Sequence, residues 1–378
     1  MQKNLKITMV AARYYPFLGG IETHIHEVGT RMVALGHHVV VLTTDPSGVL
    51  PQCEVNHGIN IKRVKAWPKN RDYYFAPSLY REVAQAECDI IHFQGYHTLV
   101  PPIGMLAAVR NRIPFVLTYH SGGHSSRLRN AIRGAQIAML KPLVARADRL
   151  IGVSGCEAEY FSQQMRLNAE QFEIVPNGAS LPPPSNPPPA VNPHLILSVG
   201  RLEHYKGHHR VIEAFPALLK RVPDARLQIV GSGPYEPELR TLVNALKLNH
   251  AVSLVSIPAA ERPRLTDLLC SAGLVVLLSE YEAHPVAVLE ALSVRRPVLV
   301  TDTSGLRELA QKGLCRSIPL EATAGMIAEV IAEELAREHQ PTAVTLPNWD
   351  DCTEQLLVIY NTVLDWKSDL PIGSHVIA

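Results

Sequence analysis

Two glutamates in the second half of the chain are placed to recognise a polar ligand. Glu282 and Glu290 flank seven residues in the segment LSEYEAHPVAVLE. Carboxylates accept strong hydrogen bonds, which is the chemistry that sugar hydroxyls require. Two glutamates at this spacing also occur on ordinary exposed helices, but Glu290 lies among Val288, Leu289 and Ala291, where an unpaired carboxylate is costly. This apolar setting favours a binding role.

The residues between the glutamates predict a helix that begins beside the ligand. Pro285 suits the first turn of a helix. The backbone N–H groups of Val286 and Ala287 would then point at an anion or a sugar hydroxyl, because the amino end of a helix favours negative charge. We expect Glu290 one turn deeper.

Two cations follow a predicted strand earlier in the chain. In SVGRLEHYKGHHRVIEAF, Arg201 and Lys206 lie between the strand and the next helix, just before Gly207. Ligands of α/β proteins bind at the carboxyl ends of parallel strands, and two cations there would neutralise a diphosphate leaving group. The alternative is a pair of solvated loop cations, which are common.

A pair of glycines marks a second candidate anion site near the start of the chain. In YYPFLGGIETH, Gly19 and Gly20 follow a strand and open a helix. Paired glycines let the backbone approach a phosphate closely, although a tight turn without a ligand would use the same residues. The spacing differs from the Gly-x-Gly-x-x-Gly fingerprint, so a nicotinamide cofactor is disfavoured.

One histidine stands at the end of an apolar strand. His120, in TYHSGG, can donate a hydrogen bond to a sugar or assist proton transfer. Other histidines fall in helices or near loop ends without carboxylate-supported metal spacing: His24, His26, His37, His38, His208 and His209. We therefore expect no metal site and no cofactor.

Composition indicates a globular protein with two domains. The chain has 378 residues, more than one hydrophobic core usually serves, and a net charge of +1 that gives no general attraction to nucleic acid. Its six cysteines include no Cys-x-x-Cys pair, and no apolar run reaches the roughly 20 residues that span a bilayer. Without a signal-peptide pattern at Met1, we expect a cytoplasmic protein.

Short β-branched runs alternate with helical patterns, which is typical of βαβ units around parallel sheets. The residues from Leu181 to Pro193 include seven prolines and predict a linker. We expect an N-terminal lobe (1–180), the linker (181–193), a C-terminal lobe (194–348) and a C-terminal helix and tail (349–378). The predicted strands are 6–11, 38–44, 90–94, 114–119, 150–154, 173–176, 195–199, 227–230, 252–256, 274–278 and 298–301.

A basic, partly apolar stretch at 124–149 carries six cations and one acid, Asp148. Such a segment can lie on an anionic membrane surface. An ordinary helix that packs its apolar side on the sheet explains the pattern equally well. The cations are Arg127, Arg129, Arg133, Lys141, Arg146 and Arg149.

Taken in order, these motifs resemble glycosyltransferase family 4, the retaining glycosyltransferases of the GT-B fold. The resemblance spans nearly the whole chain. It implies an α/β protein with two Rossmann-like lobes, an interdomain cleft and a last helix that returns to the first lobe. It also implies that the N-terminal lobe lies on the acceptor side and that the C-terminal lobe binds the nucleotide sugar. The motifs are Gly19–Gly20, Thr118–His120, Val175–Gly178, Gly200–Gly207, Glu282 with Glu290, and Ser304–Glu308.

The resemblance also implies roles for these residues. Arg201 and Lys206 would bind the donor diphosphate, and Glu290 the ribose. Glu282 would meet the transferred sugar, with help from the amides after His284. Gly20 would approach the phosphate or sugar, and His120 would lie beside the donor sugar.

The sequence departs from the family pattern in two places. Ala283 and His284 stand where the family commonly has Gly-Phe after the first glutamate, which bears on donor-sugar preference. Arg295 and Arg296 replace a glycine usual before the next strand.

The resemblance implies transfer of a hexose, without a metal ion, from a UDP- or GDP-linked sugar, which is a co-substrate rather than a cofactor. The acceptor hydroxyl, on a glycan, a lipid-linked molecule or a small molecule, stays open. The alternatives on the same fold are a sugar phosphorylase, a nucleotide-sugar epimerase and a non-catalytic binding protein. We also expect that the protein works at the inner face of the membrane if the basic stretch binds there.

Overall fold

The structure is a computed structural model of the whole chain. It describes residues 4–17, 19–69, 74–96, 98–120, 127–258, 261–337 and 345–369, apart from the side chains at 127–133, 169, 368 and 369. The chain divides into two compact units. The first includes Met1–Ser121, Ile132–Asn177 and Trp349–Ala378, and the second includes Gly178–Asn348.

The first unit is built on a sheet of eight described strands in the order β3-β4-β2-β1-β5-β6-β7-β8, parallel except for β3. The strand order reverses between the neighbouring parallel strands β1 and β5, which is the switch point of this sheet. The strands are β1 (Lys6–Ala11), β2 (His38–Asp45), β3 (Cys53–Asn56), β4 (Ile59–Lys65), β5 (Ile90–Gln94), β6 (Phe115–Thr118), β7 (Arg149–Gly152) and β8 (Phe172–Ile174). The helices between them are α1 (Gly20–Ala34), α2 (Ser78–Ala84), α3 (Val100–Asn111), α4 (Arg127–Val144) and α5 (Gly155–Met165).

The second unit holds six described parallel strands in the order β11-β10-β9-β12-β13-β14. The strands are β9 (Asn192–Val199), β10 (Arg226–Val230), β11 (Val252–Val255), β12 (Ala272–Leu277), β13 (Val298–Thr301) and β14 (Arg316–Ile318). The helices are α6 (His208–Leu219), α7 (Glu236–Ala245), α8 (Arg262–Ser271), α9 (Val286–Ser293), α10 (Ser304–Gln311) and α11 (Ala324–Ala336). The strand order reverses between β9 and β12, and ligands of such sheets bind at this switch point.

Helix α12 (Trp349–Asp369) belongs to the first unit, as the family resemblance implies. It packs against α1, and its buried residues, among them Trp349, Leu356 and Tyr360, belong to the same hydrophobic cluster as Ile25, Val28 and Met32 of α1. Tyr360 is fully buried, and its hydroxyl is hydrogen-bonded to Nδ1 of His92 in β5 at 2.6 Å. A buried polar contact therefore joins the last helix to the centre of the first sheet.

The predicted alternation of strands and helices is confirmed, and the eleven predicted strands all have counterparts. Three strands were missed: β3, β4 and β14. Strand β9 begins at Asn192, two residues inside the predicted linker, because the backbone of Asn192 already pairs with Ala272 of β12.

Candidate functional site

In the second unit, the loop after β9 packs directly against the loop after β12. Gly207 ends a short 3-10 turn, His204–Lys206, with φ at 72°. A Cβ at this position would lie 2.0 Å from the carbonyl oxygen of Leu278, so only glycine permits the approach. The two loops that leave the switch point are therefore in contact.

This contact brings Lys206 to Glu282. Nζ of Lys206 lies 2.5 Å from Oε1 of Glu282, and the two side chains are 16% and 11% exposed. The hydroxyl of Ser279 donates to the same carboxylate oxygen at 2.8 Å. Burial alone would lower the pKa of Lys206, but the Glu282 carboxylate outweighs burial and raises it above the ordinary value. Lys206 is therefore a cation at neutral pH.

The backbone of Glu282 is fixed by the first residues of α10. Its N–H donates to Oγ of Ser304 at 2.9 Å, and its carbonyl accepts from Oγ of Ser304 and N–H of Gly305, both at 2.8 Å. A Cβ on Gly305 would lie 2.0 Å from the carbonyl oxygen of Ala283. Ser279 and Ser304 were not singled out as site residues, although Ser304 belongs to one of the six motifs.

Arg201, the other predicted diphosphate ligand, is half exposed. Its Nη2 forms an ion pair with Oε1 of Glu203 at 3.2 Å, whereas Lys206 pairs with Glu282. Arg201 is still close enough for its positive charge to oppose protonation of Lys206. The two predicted cations thus share one electrostatic environment, with Lys206 paired and Arg201 directed to the surface.

His208, to which the sequence analysis assigned no site role, stabilises the conformation of this loop. Burial lowers its pKa to about 4, so the ring is neutral at pH 7. Nε2 donates to the carbonyl of Arg201 at 3.2 Å, and Nδ1 accepts from the hydroxyl of Ser198 at 2.8 Å. The imidazole thereby ties the loop to β9.

Glu290 lies in α9 and is 4% exposed. Contrary to the sequence argument, its carboxylate is not unpaired: Nη2 of Arg262 lies 2.5 Å from Oε1. The prediction missed this partner because it lies 28 positions away in the sequence. Pro285 is also placed differently, since it precedes the helix, and Val286 and Ala287 form the first turn, where backbone N–H groups lack helical acceptors.

In the first unit, the paired glycines lie at the switch point, after β1. Gly19 precedes α1 and Gly20 begins it. A Cβ on Gly20 would meet no atom within 4 Å, so this part of the loop is open to a ligand within the unit. The structure brings the predicted glycines to a helix amino end, where anions are favoured.

His120 follows β6 in a left-handed conformation, with φ at 45°. Its Nε2 is hydrogen-bonded to Oε1 of Gln94 at 2.7 Å, and its ring packs edge-on against His24 with centroids 4.7 Å apart. Nδ1 of His24 is bonded to Oδ1 of Asn177 at 2.9 Å, and burial lowers the pKa of His24 to about 4. His24 was also set aside by the sequence; no spacing rule links it to His120.

The basic stretch at 124–149 lies partly outside the described residues, which exclude 124–126 and the side chains of Arg127, Arg129 and Arg133. In the described part, Asp148 is paired with Lys367 of α12 at 2.9 Å, and Met139 is 66% exposed. No described helix is long and apolar enough to cross a membrane. The described side chains also include no group of three His, Cys, Asp or Glu residues placed to hold a metal ion.

Both halves of the chain match known family models. Residues 18–181 match Glycosyltransferase Family 4, and residues 185–344 match Glycosyl transferases group 1. Glycogen synthase of Mycobacterium tuberculosis (strain CDC 1551 / Oshkosh) is 26% identical over 374 residues, covering 90% of this chain and 89% of the relative. D-inositol 3-phosphate glycosyltransferase of Nocardiopsis dassonvillei is 28% identical over 390 residues, with the same coverage.

Solved structures show the same fold. Sucrose-phosphate synthase from Thermosynechococcus elongatus has a TM-score of 0.73 at 19% identity, covering 96% of this chain and 100% of that chain. The Anabaena protein Alr3699/HepE, solved in complex with UDP-glucose, has a TM-score of 0.67 at 18% identity and covers 97% and 100%. The fold is therefore GT-B.

Proposed function

The chain belongs to glycosyltransferase family 4 and group 1 and is a glycosyltransferase, and from this premise we propose that it transfers a hexose from a nucleoside diphosphate donor to an acceptor hydroxyl with retention of configuration. The observation that carries the proposal is the Lys206–Glu282 pair at the switch point of the second sheet. A cation and a carboxylate in contact would bind the diphosphate and the sugar of the same donor.

The donor would be held at both ends. Lys206 and Arg201 would bind the two phosphates. The backbone N–H groups of Val286 and Ala287 would add partial positive charge from the amino end of α9. Glu290 would accept hydrogen bonds from the ribose hydroxyls. The UDP-glucose complex of the Anabaena protein supports a nucleotide-sugar donor, and UDP- and GDP-linked sugars are both candidates.

The transfer step needs charge stabilisation more than a protein nucleophile. The bond from the anomeric carbon to the diphosphate oxygen breaks, and both electrons leave with the diphosphate. The acceptor oxygen bonds to the same face of the sugar, and its proton passes to the leaving oxygen. Lys206 and Arg201 would stabilise the departing charge, in the role that other enzymes give to a metal ion. No cofactor enters the proposed reaction.

In the first unit, we assign Gly19, Gly20 and His120 to the donor, as the family resemblance implies. The open space at Gly20 suits a phosphate or sugar, and the His120 ring is oriented by Gln94 and His24. Fixed orientation is what a hydrogen bond to a reacting sugar requires. Glu282 would hold the sugar hydroxyls from the second unit.

The acceptor is proposed only as a hydroxyl on a glycan, a lipid-linked molecule or a small molecule, since the named relatives act on different ones. Contact of residues 124–149 with an anionic membrane, and work at the inner membrane face, remain proposals as well. Co-sedimentation with anionic and neutral liposomes at low and high salt tests them; absence of the protein from every pellet would refute membrane contact.

Donor identity and turnover test the function together. We would screen UDP-glucose, UDP-N-acetylglucosamine and GDP-mannose for an increase in melting temperature, because a ligand that binds only the native state stabilises it. We expect one donor to stabilise the protein and Arg201→Ala to weaken its turnover. The proposal would be refuted if none of the donors raised the melting temperature, or if turnover were unchanged in Arg201→Ala. NMR of the product's anomeric proton reports retention, and a requirement for inorganic phosphate would indicate a phosphorylase.

A further inference from the structure

Glu290 forms a buried ion pair with Arg262. The carboxylate side chain is 5% exposed, and Nη2 of Arg262 lies 2.5 Å from its Oε1. A carboxylate at this depth is costly unless a donor compensates its charge. Arg262 compensates it from the amino end of α8, while Glu290 itself belongs to α9.

The same guanidinium also holds the chain where it enters the second unit. Nη2 of Arg262 donates to the carbonyl of Ser180 at 3.1 Å. Five residues along α8, the carboxylate of Asp267 accepts from the backbone N–H of Ser185 at 2.7 Å. The chain is therefore attached to α8 just before the proline-rich segment, at Ser180, and within it, at Ser185. The attachment at Ser180 shares its donor with Glu290.

We propose that Arg262 is a positioning residue that orients Glu290 toward the ribose of the donor, so that ribose recognition depends on it. The inference rests on the proposed function, which assigns the ribose hydroxyls to Glu290. The guanidinium has hydrogen-bond donors and no acceptor. It therefore cannot accept the hydrogen bonds that the ribose hydroxyls would donate to the carboxylate.

Arginine suits this place better than lysine. Its planar guanidinium has donors in a fixed arrangement, and the anchor at Ser180 holds that plane while it meets Glu290. A lysine retains the charge but is a compact ammonium on a flexible stem. We expect Arg262→Lys to retain part of the effect and Arg262→Met to lose it.

Arg264 supplies a matched control on the same helix. It lies two residues further on, is 56% exposed and pairs with Glu261 at the surface at 3.0 Å. Replacing it removes one arginine and one ion pair from the amino end of α8 without touching Glu290. A general weakening of α8 would appear in Arg264→Met as well as in Arg262→Met.

Titration calorimetry of the full chain with UDP and GDP, each compared with its 2′-deoxy counterpart, tests the proposal. We expect the wild-type protein to prefer one ribonucleotide over its deoxy form by about tenfold, which is the worth of one charged hydrogen bond. Arg262→Met should bind the ribonucleotide about as weakly as the deoxy form, with deoxy binding unchanged. Arg264→Met should behave as the wild type.

A folded Arg262→Met that keeps the full ribose preference would overturn the inference, and so would an equal loss in Arg264→Met. If Arg262→Met does not fold, Arg262→Gln provides the same comparison, and Arg262→Lys should show an intermediate ribose preference. The proposed function fails in a different way. A wild-type protein that binds neither diphosphate refutes the donor site as a whole, whereas diphosphate binding without ribose preference refutes only the assignment of Glu290 and, with it, of Arg262.

Discussion

Nζ of Lys206 and Oε1 of Glu282 lie 2.5 Å apart, although the residues are 76 positions apart in the sequence. The cation proposed for the leaving diphosphate and the carboxylate proposed for the sugar are therefore paired with each other. Each compensates the charge of the other in a largely buried place. A change in one must alter the environment of its partner.

We expect Glu282→Gln to separate binding of the nucleotide from transfer of the sugar. Removing the negative charge leaves Lys206 to the diphosphate, so UDP or GDP should bind at least as tightly as to the wild type. Turnover should fall about 10- to 100-fold, because the sugar loses a charged hydrogen bond. Calorimetry and initial rates measure the two effects. Glu280→Gln, at an exposed glutamate that pairs with His204, is the control; equal loss of nucleotide affinity and turnover in Glu282→Gln would contradict the prediction.

The pair should also be visible in stability. Lys206→Met leaves the Glu282 carboxylate buried without its cation and should cost about 3 kcal/mol in the free energy of unfolding. The double variant with Glu282→Gln removes both charges and should recover most of that loss. Urea denaturation of both single variants and of the double variant measures the coupling. Strict additivity would show that the two side chains do not depend on each other. Lys220→Met, at the exposed far end of α6, should cost almost nothing.

The sequence predicted that the candidate site residues lie at the ends of strands, but it did not predict which side chains they contact. Strand–loop–helix alternation is a local pattern, so Lys206, Glu282 and the paired glycines could be assigned to the ligand-binding edges of two parallel sheets. The Arg262–Glu290 contact could not be predicted, because it joins the start of α8 to the middle of α9, and the two residues are 28 positions apart. The apolar neighbours of Glu290 along the sequence suggested an unpaired carboxylate, but they carry no information about a donor such as Arg262 that comes from another helix.

Strand β4 shows a related difficulty. Its residues INIKRVK alternate, yet the charged side chains concealed a strand that is largely buried. Arg63 is only 3% exposed. Its guanidinium donates hydrogen bonds to Glu54 and to the backbone carbonyls of Pro51 and Tyr15, which compensate the buried charge. A buried arginine with this many acceptors is recognisable only after the loops around it are placed.

Stability should fall as the pH falls from about 6.5 to 4. Burial lowers the pKa of both His24 and His208 to about 4, so in this window the unfolded chain binds protons that the folded chain refuses. The stabilisation is complete above pH 6.5, and each histidine should contribute a slope of up to about 1.4 kcal/mol per pH unit below it. Urea denaturation at several pH values measures the slope. His208→Gln should reduce it, and the exposed His250→Gln should not; an unchanged slope in His208→Gln would be incompatible with this origin.

Tyr360→Phe should weaken the attachment of α12 to the first unit. The substitution removes only the hydroxyl that meets Nδ1 of His92, and it leaves a fully buried imidazole nitrogen without that partner. The expected loss is about 1–3 kcal/mol of unfolding free energy. Thr362→Ala removes an exposed hydroxyl from the same helix and should change stability little. Equal stabilities of the two variants in urea would show that the buried contact contributes nothing.

Gly207→Ala and Gly313→Ala separate backbone strain from steric overlap. Both glycines have φ at 72°, so alanine at either position should cost roughly 1–2 kcal/mol of conformational strain. A Cβ on Gly313 meets no atom within 4 Å, whereas one on Gly207 would lie 2.0 Å from the carbonyl oxygen of Leu278. Gly207→Ala must therefore push apart the loops that carry Lys206 and Glu282. We expect it to lose more stability than Gly313→Ala in urea denaturation and to weaken nucleoside diphosphate binding, which Gly313→Ala should leave intact. Unaltered diphosphate binding in Gly207→Ala would mean that close contact between the two loops is not what holds the Lys206–Glu282 pair in its binding position.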